Sequence, residues 1–295
     1  MKKILITGAN SFIGCSFEKY IESFGDSYGV DTLDMLDPSW REWDFSSYDT
    51  VFHVAGIAHS DGGKISKKKE ALYYSVNTDL TLEVAKKAKA EGVGQFIFMS
   101  SSIVYGKSGR IGKAKHITRD TVPTPANCYG DSKLRAEKGL FELASDTFGV
   151  VALRPPMIYG KGCKGNFATM AKIARKLPVF PKVKNERSVL YVDNLSEFVR
   201  LMIDNRERGV FFPQNGEYMN TSDAVALLGK VQGQRVRLIP GFAFLLKIAG
   251  VFVGFVNKAF GNLTYDKSMS EYSEDYRLRD FEESVSDSYE GATKV

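Results

Sequence analysis

The sequence predicts an α/β protein: a doubly wound parallel sheet with a smaller, mixed C-terminal lobe. Three observations carry this expectation. Short apolar runs alternate with longer segments of helical periodicity through the first half of the chain. The first run, Lys3 to Thr7, leads directly into a glycine-bearing turn and then a helical pattern. After Arg154 the alternation stops, because Pro155-Pro156 ends a strand and the remainder mixes loops, short strands and apolar helices.

In order, Lys3 to Thr7 is a buried strand, Phe12 to Phe24 a helix, Tyr28 to Asp34 a second strand and Thr50 to Ala55 a third. Glu70 to Ala90 reads as one long helix that stops at Glu91-Gly92. Gln95 to Ser100 is a strand, Asn127 to Ser145 a helix and Gly149 to Arg154 a further strand. Beyond it, Gly160 to Gly165 is a loop, Asn166 to Leu177 a helix, Val189 to Val192 a strand and Asn194 to Asp204 a helix. No repeat and no Gly/Ser- or Pro-rich linker interrupts the chain. The expected division is therefore residues 1–160 and 161–295, with 189–206 packing back on the first part.

Composition excludes several classes of function. With 43% hydrophobic and 25% charged residues among 295, the chain has the balance of a globular protein with a sizeable core. The net charge of +5 is modest and dispersed; the densest basic run, Lys64 to Lys69, lacks the interleaved aromatics of a nucleic-acid footprint. Three widely spaced cysteines, Cys15, Cys128 and Cys163, give neither a disulfide framework nor metal-ligand spacing. They suit a reducing cytoplasm. Met1-Lys2-Lys3 before Ile4-Leu5-Ile6 imitates a signal peptide, but Thr7, Gly8, Asn10 and Ser11 break the apolar stretch. Gly241 to Val256 is apolar except for Lys247, yet shorter than the roughly 20 residues of a spanning helix. A buried or surface helix is expected there, with no spanning segment. From Asp266 onward nine acidic residues oppose four basic ones, so the tail is net negative and prone to fray. Of the histidines, His53 lies on a buried strand and reads as structural, and His59 and His116 read as surface residues without a sequence partner.

The turn Thr7-Gly8-Ala9-Asn10-Ser11-Phe12-Ile13-Gly14 joins the first strand to the first helix. Glycines in that position let the backbone approach a pyrophosphate, and the helix N-terminus adds donors and a positive dipole end. Gly8, Asn10, Ser11, Phe12, Ile13 and Gly14 are therefore candidate dinucleotide contacts, with Ser11 standing where a middle glycine is usual. Asp34 falls twenty residues after Gly14, at the end of the second strand. An acid there bonds the adenosine ribose and repels a 2′-phosphate, which favours NAD over NADP. Asp31 and Asp37 compete for that role, and Asp44-Phe45 is a candidate adenine flank.

Tyr129 and Lys133 stand four apart on a helix and share a face, with the cluster Ser100-Ser101-Ser102 upstream. A phenol beside an ammonium group is easier to deprotonate than a free phenol of pKa about 10. Tyr129 is thus a candidate proton donor or acceptor.

Together these pieces resemble the extended short-chain dehydrogenase/reductase family of nucleotide-sugar epimerases, dehydratases and reductases, whose fold is the Rossmann sheet. Further matching stretches are Val51-Phe52-His53-Val54-Ala55-Gly56, Asn77, Phe98 to Gly106, Arg154-Pro155-Pro156, Asn166 and Arg187 to Asn194. The resemblance covers residues 1 to roughly 205. It implies that Ala55, Gly56, Asn77 and Pro156 line an NAD or NADP cofactor. It implies Ser101, Tyr129 and Lys133 as the catalytic trio, Lys133 also holding the nicotinamide ribose, so that the cofactor contacts include Tyr129 and Lys133. Ser101, Ser102, Asn166 and Arg187 become expected substrate contacts, the last two near the diphosphate. Dehydratases of the family carry an acid pair where this chain has Ser102 and Ile103, so dehydration is not expected. Met157 stands where epimerases commonly have asparagine. The expectation is a cytoplasmic, homodimeric enzyme with no metal, pairing through the Glu70–Ala90 and Tyr129-bearing helices. It would reduce a UDP-4-keto-6-deoxy-N-acetylhexosamine to a UDP-N-acetyl-fucosamine or -quinovosamine type sugar for surface polysaccharide. The alternatives are a UDP-sugar 4-epimerase and a non-catalytic dinucleotide sensor.

Overall fold

The central strands of the first unit are apolar runs buried on both faces, which is what a parallel sheet demands. A computed structural model describes residues 1–58, 65–109, 112–241 and 260–289. The chain forms two units, the first made of 1–106, 122–155 and 195–213 and the second of 107–121, 156–194 and 214–295. A single cut near 160 does not describe this. The stretch 107–121 goes with the second unit because β5 (His116–Ile117) pairs with β12 (Thr264–Tyr265) there. Residues 195–213 go with the first unit because β10 (Gly209–Phe211) joins its sheet. Strands and helices are numbered in chain order across both units.

The first unit holds β1 (Lys2–Thr7), β2 (Tyr28–Leu33), β3 (Thr50–His53), β4 (Gln95–Met99), β6 (Gly149–Leu153) and β10. They form one six-stranded sheet in the order β10-β6-β4-β3-β1-β2, parallel throughout. The chain reverses direction across the sheet between β1 and β3, so the crevice beyond their carboxyl ends is the switch point where such sheets bind ligands. The register aligns Thr7 with His53, His53 with Phe98, and Phe98 with Ala152. The segments that follow β1, β3 and β4 consequently leave the sheet at one edge. Ile4, Leu5, Ile6, Phe52, Phe96, Ile97, Phe98 and Val151 to Leu153 are all fully buried, each large side chain contributing about 1.5–3 kcal/mol.

The helices of this unit are α1 (Phe12–Glu22), α2 (Lys67–Tyr74), α3 (Thr81–Ala90), α4 (Cys128–Leu143) and the greater part of α6 (Val192–Asp204). Between α2 and α3 a π-helical turn spans Ser75–Leu80. The expected long helix therefore exists but starts earlier and carries a widened turn, which side-chain periodicity does not register. It ends where Gly92 adopts φ +85° and the Val93 N–H returns to the Ala88 carbonyl.

Among the described residues the second unit forms only two-stranded sheets. Besides β5–β12, it contains β7 (Met157–Tyr159) paired in parallel with β9 (Val189–Tyr191), and β8 (Val179–Pro181) paired with β11 (Arg237–Ile239). Among its described residues the helices are α5 (Asn166–Lys176), α7 (Thr221–Val231) and α8 (Phe281–Tyr289), besides the first turn of α6. Tyr159 anchors its core, stacked on Phe167 with centroids 4.3 Å apart and bonded through its hydroxyl to Ser284 and Asn215. His116 is exposed as expected but has partners, Thr264 at 3.0 Å and Asp266 at 3.2 Å, too distant along the chain for sequence to suggest. Among the described residues no helix is long and apolar enough to cross a membrane. His59, residues 242–256 of the apolar stretch and the last six residues lie outside the described residues.

Candidate active site

The glycine-bearing turn is shaped by close approach. Gly8 has φ +122°, and a Cβ there would lie 2.7 Å from the Ala55 nitrogen. No other residue type fits this position. The Gly8 and Ala9 N–H groups both donate to the Leu33 carbonyl, which ties the turn to the end of β2. Asn10 is left-handed at φ +61°. Ser11 caps α1, its Oγ accepting the Gly14 N–H at 3.1 Å. That explains the departure from a middle glycine: at this site the side chain does capping work worth about 1 kcal/mol. A Cβ on Gly14 would sit 2.7 Å from that same Oγ.

Asp34 directly follows β2, its carboxylate accepting the Leu36 N–H at 2.9 Å. Its competitors are engaged elsewhere: Asp31 accepts the Tyr48 hydroxyl and Asp37 caps a short 3-10 turn. Asp44 is exposed, whereas the Phe45 ring is completely buried in the core under α3. Of Phe45, only the backbone can flank an adenine; the ring cannot.

At the end of β3, Ala55 packs on Gly8, and a Cβ on Gly56 would meet both Asn77 Oδ1 and Lys133 Nζ at 3.0 Å. Asn77 comes from the π-helical turn. Its amide accepts the Ile57 N–H at 2.8 Å and donates to the Ile57 carbonyl at 3.2 Å and to Ser132 Oγ at 3.1 Å. The widened turn thus clamps the backbone after β3 to α4, a use of π-turns common at functional sites. Bare backbone at Gly8 and Gly56, over the switch point, is the cradle a dinucleotide requires.

Helix α4 carries Tyr129 and Lys133. Asn127 caps it through the Gly130 N–H, and a Cβ on Gly130 would lie 2.8 Å from the Ile103 carbonyl. That glycine lets α4 lie directly against the loop bearing Ser101. Tyr129 bonds to the Ser101 side chain, and the Tyr73 ring stands 6.1 Å from its own. Burial pushes the Tyr129 phenol above its ordinary value, the Ser101 hydrogen bond pulling the other way. The expected lowering by Lys133 is not what the structure shows. The ammonium group instead donates to the Met99 carbonyl at 2.9 Å and lies 4.6 Å from the centre of the Phe98 ring. Burial brings Lys133 down to about 8, with the Glu137 charge opposing the fall. The trio combines a hydroxyl donor, a phenol and a lysine that changes charge near neutrality, which is the equipment for moving a proton to or from a carbonyl oxygen. Ser102, buried beside Ser101, donates its N–H to the Pro155 carbonyl.

His53 is structural, as expected. It is fully buried, bonded to Thr7 Oγ1 at 2.7 Å and Thr81 Oγ1 at 3.1 Å, and held neutral with its value brought down to about 3 by burial.

Pro156, Asn166 and Arg187 belong to the second unit. Asn166 opens α5 and, with Arg187, Met157, Phe180, Met219 and Phe260, lines a largely apolar cavity. Arg187 is buried, donates to the Gly261 carbonyl at 3.2 Å, and is brought down by desolvation to about 10, still cationic at neutral pH. Sequence reasoning did not single out the buried ion pair of Glu137 with Arg154. Its one local signal is the four-residue step from Lys133 to Glu137 along α4.

The profile of the NAD dependent epimerase/dehydratase family matches residues 4–212. The chain belongs to this family. A UDP-glucose 4-epimerase of Vibrio cholerae is 31% identical over 90% of this chain and 88% of that protein. The fold is shared with a UDP-glucuronic acid 4-epimerase from Bacillus cereus in complex with NAD, at TM-score 0.72 and 19% identity over 97% of this chain and 95% of the other. It is shared equally with a dTDP-4-dehydrorhamnose reductase from Clostridium acetobutylicum, at TM-score 0.71 and 19% identity over 97% and 98%. The chain is thus an enzyme of an NAD-dependent, nucleotide-sugar kind.

Proposed function

We propose that this protein is a 4-ketoreductase acting on a UDP-4-keto-6-deoxy-N-acetylhexosamine, yielding a UDP-N-acetyl-fucosamine or -quinovosamine type sugar for surface polysaccharide. Gly8, Asn10 to Gly14, Ala55, Gly56, Asn77 and Pro156 hold NAD(H) or NADP(H), which when bound supplies the hydride. Asp34 at the end of β2 favours the form without a 2′-phosphate. Ser101 donates a hydrogen bond to the sugar O4, Tyr129 passes it a proton that solvent later restores, and Lys133 as a cation holds the ribose. Ser102 borders the sugar, and Asn166 and Arg187 hold the diphosphate, where a guanidinium makes charge-assisted bonds. A UDP-linked substrate sets the reaction in the cytoplasm.

Met157 carries the choice of a deoxy sugar. It lines the cavity beside Asn166 and Arg187 with other apolar side chains, at a position that epimerases of the family commonly fill with asparagine. A thioether has no donor and is a poor acceptor, so this wall suits a methyl group better than a hydroxyl. The test is incubation with the 4-keto sugar and NADH or NADPH in turn, followed by NMR of the product. Stoichiometric cofactor consumption and a new carbinol proton at C4 are expected; no consumption with either cofactor refutes the reductase.

The second reading, a UDP-sugar 4-epimerase, draws on the Vibrio cholerae relative. It uses the same three residues with no net redox change. Purified protein that interconverts C4 epimers of a UDP-hexose, retaining NAD and needing no added reductant, would establish it instead. A homodimer pairing through α2–α3 and α4 accompanies either reading, and light scattering at micromolar concentration tests it.

A further inference from the structure

The loop that carries Ser101 leaves β4 at Ser100 and closes at Gly106, and it is tied down at both ends by one buried ion pair. At its start, Ser100 Oγ donates a short hydrogen bond to the Glu137 carboxylate. At its end, the Tyr105 hydroxyl accepts from Arg154 Nη1 at 2.7 Å. Arg154 Nε in turn reaches both carboxylate oxygens of Glu137, at 3.0 and 3.1 Å. Between the two ends, the Ser102 N–H donates to the carbonyl of Pro155, the residue after Arg154.

The other side of the arrangement is α4. Tyr129, Lys133 and Glu137 follow at four-residue steps, one above another on the same face. Lys133 bonds the Met99 carbonyl, Glu137 the Ser100 hydroxyl and Tyr129 the Ser101 side chain. Three successive residues of the chain are thus each held by one turn of the same helix.

We propose that Glu137 and Arg154 are positioning residues, a buried pair that fixes the Ser101 loop against α4 so that Ser101, Tyr129 and Lys133 share one geometry. This rests on the assignment of those three as the working groups. Stability alone does not account for the pair, because a buried ion pair is commonly no better than apolar side chains of similar volume. Its directional bonds, by contrast, specify the loop's path from both ends.

The pair also sets the charge that Lys133 feels. The titratable groups facing Lys133 are Tyr129 and Glu137 on α4 and His53 on β3, with Arg154 beyond Glu137 and Tyr105 beyond Arg154. His53 is neutral at any working pH. Glu137 is the nearby anion that keeps Lys133 protonated, and its engagement by Arg154 leaves that support partial. Removing the Glu137 charge lowers the pH at which Lys133 loses its proton.

Ser100→Ala and Tyr105→Phe each cut one end of the loop without touching the pair. Each is expected to lower kcat about tenfold or more, as small misplacements of reacting groups do, with little change in KM. The double variant Glu137→Met/Arg154→Met removes both charges at once; it is expected to melt near the wild type and still lose at least tenfold in kcat. Wild-type kcat in a folded double variant overturns the proposal. Two readouts need no turnover. Amide exchange across residues 101–106 should quicken at least tenfold in Ser100→Ala. The Lys133 Cε resonance, assigned with Lys133→Met, should titrate at lower pH in Glu137→Gln. Unchanged exchange and an unchanged titration refute the positioning role even if the sugar assay fails in the wild type, an outcome that would count against the assigned reaction alone. Should Glu137→Gln not fold, the two loop-end variants decide.

Discussion

Lys133 in the first unit and Arg187 in the second are both buried cations, and they end in different states. Desolvation lowers both, Lys133 to about 8 and Arg187 to about 10. The push is of similar size, but the lysine starts closer to neutrality and arrives where it gives up its proton in ordinary buffers. The arginine remains charged. Their surroundings differ: Lys133 donates to the Met99 carbonyl over the Phe98 ring, and Arg187 lines an apolar cavity with a carboxamide. The contrast teaches that burial alone does not assign a role to a cation. The intrinsic chemistry of the side chain decides whether the same desolvation yields a group that titrates near neutrality or one that stays charged.

The largest effect that tests this contrast is on the proton-handling side. Tyr129→Phe removes the group proposed to exchange a proton with the sugar oxygen and should lower kcat by about a thousandfold, within the usual range for a lost general acid. The fold and dinucleotide binding should survive, as checked by circular dichroism and cofactor fluorescence. Wild-type turnover in this variant would remove the proton-handling half of the comparison. Next in size, Lys133→Met should lower kcat about a hundredfold. In the wild type, kcat should fall as pH rises through about 8, where Lys133 loses its proton. A pH–rate profile flat from 7 to 9.5 would contradict that role.

The anchoring side predicts a different signature. Arg187→Met should raise KM for the nucleotide sugar about ten- to a hundredfold, the worth of hydrogen bonds to a charged group, with kcat changed far less. Because Arg187 stays protonated, its contribution should not vary between pH 6 and 9. A loss expressed mainly in kcat would place Arg187 with Lys133 rather than opposite it.

What the sequence disclosed differs between the two regions for physical reasons. Gly8 to Gly14 and Tyr129/Lys133 are local patterns, and local spacing determines turn geometry and a shared helix face. The parallel sheet was legible because its central strands are nearly continuous apolar runs. Depth of burial was not legible, so the direction of the Tyr129 shift was missed: its phenol is raised by desolvation, and Lys133 turns to the Met99 carbonyl instead. The π-turn at Ser75–Leu80 escaped because one widened turn barely disturbs a helical pattern. Glu137 with Arg154, and His116 with Asp266, are pairs made by tertiary folding between residues of different elements. The boundary of the units escaped because the chain passes between them repeatedly, without a linker to mark each crossing.

The smallest predicted effect concerns a third buried titratable group, one that neither carries protons nor anchors an anion. His53 bridges Thr7 at the end of β1 and Thr81 at the start of α3, and burial brings it down from 6.5 to about 3. Its folded value lies below its unfolded one, so between about 6.5 and 3 the unfolded chain binds the extra proton. The neutral imidazole's contribution is full above pH 6.5 and is lost progressively as pH falls toward 3. His53→Gln keeps a side chain able to bond both hydroxyls and has no proton to gain. It should cost about 1–2 kcal/mol at pH 7, typical of a disturbed buried network, and should make urea unfolding less steeply dependent on pH between 6 and 4. Were the two proteins to lose stability in parallel over that interval, His53 would not be the neutral strut described.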